Sequence, residues 1–167
     1  VKASQGRLVA VGRFGSSTGA GIALARLTKR GHLDPTFGTG GTSEVELGDD
    51  DYAHDAVPLA DDSLVLTGRH VGTAGRSVGY VAKVTPDGDL DTTWAGGTGY
   101  VDVAVPSHDA YLVDIAKAPG GGFVAVGEVA LGGHPKAWQS MVVRVNGDGT
   151  LDSTFGTGGI VVRALEA

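Results

Sequence analysis

The stretch DGDLDTTWAGGTG, from Asp87 to Gly99, decides the fold, because the chain writes it three times. HLDPTFGTGG runs from His32 to Gly41, and DGTLDSTFGTGG from Asp148 to Gly159. The shared leucine is Leu33, Leu90 or Leu151, which sets spacings of 57 and 61 residues. Two further motifs keep the same order and period. One reads GRLVAVG from Gly6, DSLVLTG from Asp62 and GGFVAVG from Gly121; the other reads IALARL from Ile22, GYVAKV from Gly79 and SMVVRV from Ser140. A fixed order at a fixed period marks a repeat architecture, in which each copy is one supersecondary unit.

Composition narrows the class. Glycine makes up 29 of the 167 residues, more than twice the roughly 7% of an average protein. The glycines gather between short valine-rich runs, as turns do between strands. Apolar residues are 41% and charged residues 19%, which gives a core to pack and argues against a solvated, disordered chain. The net charge of −6, with no Lys/Arg-rich run, disfavours nucleic acid or an anionic membrane as partner. The absence of cysteine removes disulfides, thiolate metal sites and a thiol nucleophile. No apolar run approaches the length of a membrane-spanning helix. A first residue other than Met is read as processing or as a fragment.

The second copy divides into four strands: A over about 53–59, B over about 63–69, C over about 79–85 and D over about 99–105. Strand B is apolar at consecutive positions, Leu64, Val65 and Leu66, and the first copy repeats this from Leu8 to Val11. A half-exposed strand alternates, so the continuous run implies that both faces are covered. The glycine closing each B run (Gly12, Gly68, Gly127) implies a bulge or a close backbone approach. Between C and D, Pro86-Asp87-Gly88 is turn chemistry, since Pro presets φ and Gly accepts a positive φ. One aromatic follows each turn, Phe37, Trp94 or Phe155, and is expected to plug the gap to an adjacent sheet; stacking on a ligand is the other reading. Gly-Thr-Gly-Gly after it lacks the Lys-Ser/Thr and the helix of a phosphate loop.

Four-stranded units of about this size, covered on both faces, can stack radially as propeller blades, linearly as a solenoid or as a compact sandwich; the four strands per unit favour the propeller. The expected fold is therefore all-β: a β-propeller of four-stranded blades, a single repeat domain over 1–167. Blade 1 is about 1–48, blade 2 about 49–105 and blade 3 about 106–167. Propellers close with four to eight blades. Three blades expose apolar faces at both ends, so a fragment, or half of a ring closed by a second copy into six blades, is expected.

Three segment groups carry a resemblance. Gly6–Gly12, Ile22–Leu27 and Leu33–Gly41, with their counterparts Ser63–Gly68, Val81–Val84 and Asp87–Trp94, and Phe123–Gly127, Val142–Val145 and Asp148–Gly159, resemble the bacterial delta-60 repeat family. The resemblance implies a β-propeller within long secreted or surface bacterial proteins, and no established catalytic residues. Departures are Trp94-Ala95 in place of Phe-Gly, and Lys29-Arg30-Gly31 where the other copies carry an acidic turn.

In such a blade the D–A and B–C loops share one end and the A–B and C–D turns the other. The C–D motif recurs in every copy, so recognition is expected at the loop end, where the copies differ most. The variable stretches are 15–21, 71–78 and 130–139 from B–C, with 48–51 and 106–109 from D–A. Candidate binding residues are Asp51, His108, Asp109, His134, Lys136 and Trp138. Trp138 suits a sugar ring or a partner side chain, or else covers a blade edge. Asp51 and Asp109 are read as equivalent acids that satisfy backbone N–H groups at the start of strand A, and Asp49-Asp50-Asp51 as a solvated loop. The turn from Asn146 to Asp152 lacks the spacing of an EF-hand and is read as a plain turn. No metal site and no cofactor are expected.

One further pattern is sharper. Arg26, Lys83 and Arg144 each lie eight residues before Asp34, Asp91 and Asp152, and each cation is expected beside its own or the next blade's aspartate. The functional expectation is a non-catalytic binding or scaffolding module of an exported bacterial protein, with a glycan or protein ligand. Its partners include a second copy or the further blades of a longer parent chain. A carbohydrate-binding propeller is the alternative. A hydrolase or lyase with His54, Asp55 and Asp114 at the central opening is the third reading.

Overall fold

The structure is a computed structural model and describes residues 1–16, 19–72, 74–131 and 137–163. The described residues form eleven strands and no α-helix. Blade 1 holds β1 (Leu8–Ser16), β2 (Gly19–Leu27) and β3 (Thr42–Val45). Blade 2 holds β4 (Asp49–Pro58), β5 (Leu64–Val71), β6 (Ser77–Val84) and β7 (Tyr100–Val103). Blade 3 holds β8 (Asp109–Lys117), β9 (Phe123–Leu131), β10 (Ala137–Val145) and β11 (Ile160–Arg163). Each is a separate antiparallel sheet with its strands in sequence order, three-stranded in blade 1 and four-stranded in blades 2 and 3. The all-β, bladed architecture expected from the repeats is what the chain adopts.

The continuous apolar runs follow from the period of a strand. Successive side chains point to opposite faces. In blade 2, Leu64 and Leu66 enter a core shared with blade 1, while Val65 enters a core shared with blade 3. On β6, Tyr80, Ala82 and Val84 face blade 1, and Val81 faces blade 3. Blade 2 is thus buried on both faces, with Leu64 to Thr67 at most 1% exposed. The outer faces of blades 1 and 3 stay open: Leu8 (46%) and Leu33 (48%) on one, Val113 (47%) and Val126 (38%) on the other. The repeated leucines obey the same logic, since Leu90 and Leu151 pack against the core shared with the preceding blade.

Two of the three B-strand glycines, Gly68 and Gly127, are close-approach positions; at Gly12 nothing lies within 4 Å. A Cβ on Gly68 would lie 1.8 Å from the Tyr52 carbonyl oxygen, and one on Gly127 would lie 1.8 Å from that of Tyr111. Beside these contacts β4 and β8 bulge, between Ala53 and Asp55 and between Leu112 and Asp114. At these two glycines the close-approach reading holds, and the bulge falls on the partner strand rather than on the strand that carries the glycine.

At the other end, each aromatic anchor rests on the turn of the following blade. Phe37 is fully buried, and a Cβ on Gly88 would sit 3.1 Å from its ring. Trp94 covers Gly149 in the same way, at 2.7 Å, and its Nε1 donates to the Gly147 carbonyl at 2.8 Å. Gly88 (φ +102°) and Gly149 (φ +91°) also need the left-handed region. Backbone bonds seal each joint: Gly38 N to Asp87 O at 2.7 Å, and Ala95 N to Asp148 O at 2.9 Å. Phe155, with no following blade among the described residues, is half-buried.

The spaced ion pairs form within each blade. Arg26 Nε lies 2.9 Å from Asp34, Lys83 Nζ 2.9 Å from Asp91 and Arg144 Nε 3.0 Å from Asp152. The second carboxylate oxygen of each aspartate accepts from the backbone N–H and hydroxyl of Thr36, Thr93 or Thr154, two residues on. The Thr36 hydroxyl first, and Arg26 among the further causes, pull the Asp34 pKa down to about 2. Asp148 makes the same kind of bond to Thr150, the plain turn expected there.

The joint predicts unequal costs for equivalent rings. Trp94→Ala removes a buried plug and its hydrogen bond, and is expected to lower the unfolding free energy by about 3–5 kcal/mol. Phe155→Ala is expected to cost clearly less. Urea unfolding followed by circular dichroism compares them; equal losses would break the assignment of the rings to inter-blade joints.

Candidate functional site

The loop end of the blades is built from the starts of the A strands, the ends of the B strands and the B–C hairpins. These hairpins pair further out than the sequence reading allowed. Gly15 pairs with Ala20, Val71 with Ser77, and Leu131 with Ala137, so much of the variable stretches is strand. The reason is that antiparallel pairing, once in register, continues along a hairpin until the turn interrupts it.

Two corrections follow at the start of β4. Asp49–Asp51 is not a solvated loop but the beginning of the strand. Asp49 lies opposite Val71 as Asp109 lies opposite Ala130, so Asp49 is the counterpart of Asp109; Asp51 corresponds to Ala110. An extra residue, Asp50 at φ +56°, shifts the alignment. A one-residue bulge carries no signature that repeat spacing alone reveals.

Asp51 is fully buried, and its carboxylate accepts from the N–H groups of Leu47 (2.7 Å) and Gly48 (3.3 Å). Asp109, half-buried, accepts from the N–H of Ser77 at 3.1 Å, at the start of β6 in the neighbouring blade. His108 is half-buried, and its N–H closes a turn onto Val105 O at 3.0 Å. Trp138 stands 46% exposed on β10. His134 and Lys136 lie outside the described residues.

Trp138 does not stand alone. Its ring packs against Tyr111 with centroids 5.3 Å apart. Arg69 lies over Tyr111 at 5.5 Å and over Tyr52 at 4.1 Å, and Arg13 lies over Tyr52 at 4.5 Å. Asp50 joins the two guanidinium groups, 2.6 Å from Arg13 and 4.0 Å from Arg69. The result is a ladder of alternating cations and aromatic rings crossing all three blades. Sequence reading missed Arg13, Tyr52, Arg69 and Tyr111. The signal was present: Arg13 and Arg69 each follow the B-strand glycine, and Tyr52 and Tyr111 each open Tyr-x-x-Asp.

A second unread feature belongs to blade 2. His70 is 4% exposed, and its Nε2 donates to Asp102 Oδ1 at 2.8 Å. The rings of Tyr80 and Tyr100 meet its edge at 6.1 and 6.0 Å. Phe14 and Val129 hold the equivalent B-strand positions in blades 1 and 3. The Asp102 hydrogen bond raises the His70 pKa against the opposing pull of burial. His70 Nδ1 and Asp51 Oδ1 are buried with no partner among the described residues. A cavity of about 340 Å³ adjoins His70, lined by Leu47, Gly48, Val71, Arg76, Tyr100 and Asp102.

The inner strands bring Asp55 and Asp114 together. Asp55 accepts from the Ile115 N–H of blade 3 at 3.2 Å, and the hydrogen bond with Asp55 pushes the Asp114 carboxyl up. The exposed His54 ring stacks on Tyr52 at 6.4 Å. Among the described residues no three side chains form a group able to hold a metal ion. A wider groove of about 810 Å³ lies on the turn side, between blades 1 and 2. Three of its hydroxyls are engaged, Ser43 with Gly88 O, Thr36 with Asp34 and Thr42 with Thr39 O.

Blades joined by aromatic plugs, with differing loops at one end, define a propeller-type repeat domain. The chain matches the family described as a beta-propeller domain of unknown function (DUF5122) over residues 4–37, 59–93 and 137–155. These segments make up more than half of the chain, and the chain belongs to this family. Each ends at, or one residue before, the aromatic anchor of its blade. No curated protein matches the chain.

The His70 pair gives a pH signature. Its folded pKa is raised, so its contribution to stability is complete below the ordinary imidazole value of 6.5 and fades as pH rises through the raised value. His70→Phe, which copies Phe14, is expected to flatten the melting temperature between roughly pH 6 and 9. Thermal melts across that range check it; an unchanged slope would show that His70 is not the titrating group.

Proposed function

We propose that this chain is a non-catalytic repeat module of an exported bacterial protein, whose recognition surface is the loop end of its blades. The observation that carries this reading is the ladder from Arg13 through Tyr52, Arg69 and Tyr111 to Trp138. At the opposite end an Arg/Lys–Asp ion pair recurs in every copy, and aromatic joints link blade 1 to blade 2 and blade 2 to blade 3. The loop end carries rings, cations and an exposed indole, the side chains enriched at recognition surfaces. The resemblance to delta-60 repeats supports a place outside the cell. Asp55 and Asp114 support the non-catalytic reading over a central hydrolase or lyase, because the bonds they make tie blade 2 to blade 3.

A carbohydrate ligand is the second reading, favoured by Trp138: an exposed indole braced from behind by Tyr111 is a flat platform for a sugar ring. The open apolar faces at Leu8 and Leu33, and at Val113 and Val126, are proposed to be covered by further blades. These come from a second copy that completes six, or from a longer parent chain.

Arrays of glycans and of proteins, probed with the wild-type chain and with Trp138→Ala, test the assignment. The substitution is expected to change stability by less than about 1 kcal/mol, because the residue sits at the surface, 46% exposed. Glycan signals lost in the variant select the carbohydrate reading, and protein signals lost select a protein partner. Signals unaffected by the variant move recognition away from the loop end and overturn the proposal.

A further inference from the structure

We propose that the cavity beside His70, enclosed by the β5–β6 hairpin, β7 and the Leu47-Gly48 link from blade 1, is a binding site for a small zwitterion with an apolar body, of the chemistry of a free aliphatic α-amino acid. This goes beyond the loop-end reading and shares no residue with the ladder that carries it.

The site begins as a departure from the repeat. Strand register places His70, Tyr100 and Asp102 of blade 2 where blade 3 has Val129, Ile160 and Val162. In blade 3 this set is apolar: Val129 is fully buried, and Ile160 and Val162 pack against the core shared with blade 2. Hydrocarbon at these positions is therefore enough to join two blades. Blade 2 instead buries an imidazole bonded to Asp102, and a buried polar group costs stability unless its partners are complete. Within the protein they are not complete. His70 Nδ1 has no partner among the described residues, and Gly48 beside it lacks the Cβ that would stand 2.8 Å from that nitrogen.

The cavity of about 340 Å³ falls in the range of roughly 300–1,000 Å³ typical of small-molecule sites. Leu47, Val71, Val78 and Tyr100 give it apolar walls. Two opposite charges, Arg76 and Asp102, line it without pairing with each other. Arg76 is exposed, and its guanidinium makes no ion pair or hydrogen bond among the described residues. Asp102 accepts from His70 through Oδ1 alone; its side chain is 47% exposed, and Oδ2 has no partner among the described residues. One unpaired cation and one anion around an apolar hollow complement a molecule that carries both charges on a hydrocarbon body. Asp102, held by His70, takes the ammonium. Arg76 takes the carboxylate, and the aliphatic side chain enters among Leu47, Val71, Val78 and Tyr100.

Isothermal titration calorimetry of the full chain with L-valine, L-leucine and L-isoleucine tests the site. At least one of the three is expected to bind. Glycine lacks the apolar body, isocaproate the ammonium and isopentylamine the carboxylate, and each is expected to bind about tenfold or more weakly than the best of the three. Arg76→Gln is expected to weaken binding by a similar factor with an unchanged melting temperature, since the guanidinium holds nothing in the free protein. Trp138→Ala is expected to leave binding as it is. Failure of all three amino acids to bind overturns the proposal. So does equal binding of glycine or of either singly charged analogue, or equal binding by Arg76→Gln. Loss of binding in Trp138→Ala would put the ligand on the ladder, which overturns this site and leaves the loop-end reading standing.

Discussion

An aromatic ring resting on the turn glycine of the next blade is the contact on which the rest of the structure depends. A single blade of this chain has two apolar faces and cannot bury either alone. Phe37 and Trp94 fix the spacing at which neighbouring sheets meet, and the alternating side chains of β5 and β6 then fall into two separate cores. The ring needs a partner without a Cβ, which ties the aromatic of one repeat to the glycine of another. The joint pairs Phe37 with Gly88 and Trp94 with Gly149, one ring and one turn glycine from successive repeats.

The turn aspartates complete the same end of the molecule. One oxygen of each carboxylate organises the local turn through a threonine, and the other holds a cation that reaches in from strand C. In blade 1 the cation goes further: Arg26 also donates to the Pro86 carbonyl of blade 2 at 2.9 Å and lies over the Phe37 ring at 4.7 Å. A local turn, an ion pair and an inter-blade joint thus share one set of side chains. That sharing leaves little room for variation, and so the chemistry that differs between copies sits at the opposite end.

At that end the three blades are not interchangeable. Blade 2 buries His70 with Asp102, where blades 1 and 3 place Phe14 and Val129. Blade 3 presents Trp138, and the extra residue Asp50 bridges two arginines across the first joint. A regular scaffold with irregular residues at one end is the arrangement by which rigid elements hold recognition groups in place.

Repeat spacing, two-sided apolar runs and turn chemistry were enough to place four strands per unit, the aromatic joints and the Arg/Lys–Asp pairs, because each is a local property or recurs at a fixed period. Trp138 stood out because its loop breaks the repeat, but composition left open whether its ring is presented to solvent or covers a blade edge. The ladder behind it was not legible. Arg13, Tyr52, Arg69 and Tyr111 come from four strands in three blades, and their stacking depends on how the sheets are set against one another. Asp51 was misaligned because a bulge alters strand phase without altering composition. The sequence by itself determined the unit and its joints; the tertiary structure alone decided which loop-end side chains meet, since contacts between sheets follow from packing angles and register that no single repeat encodes.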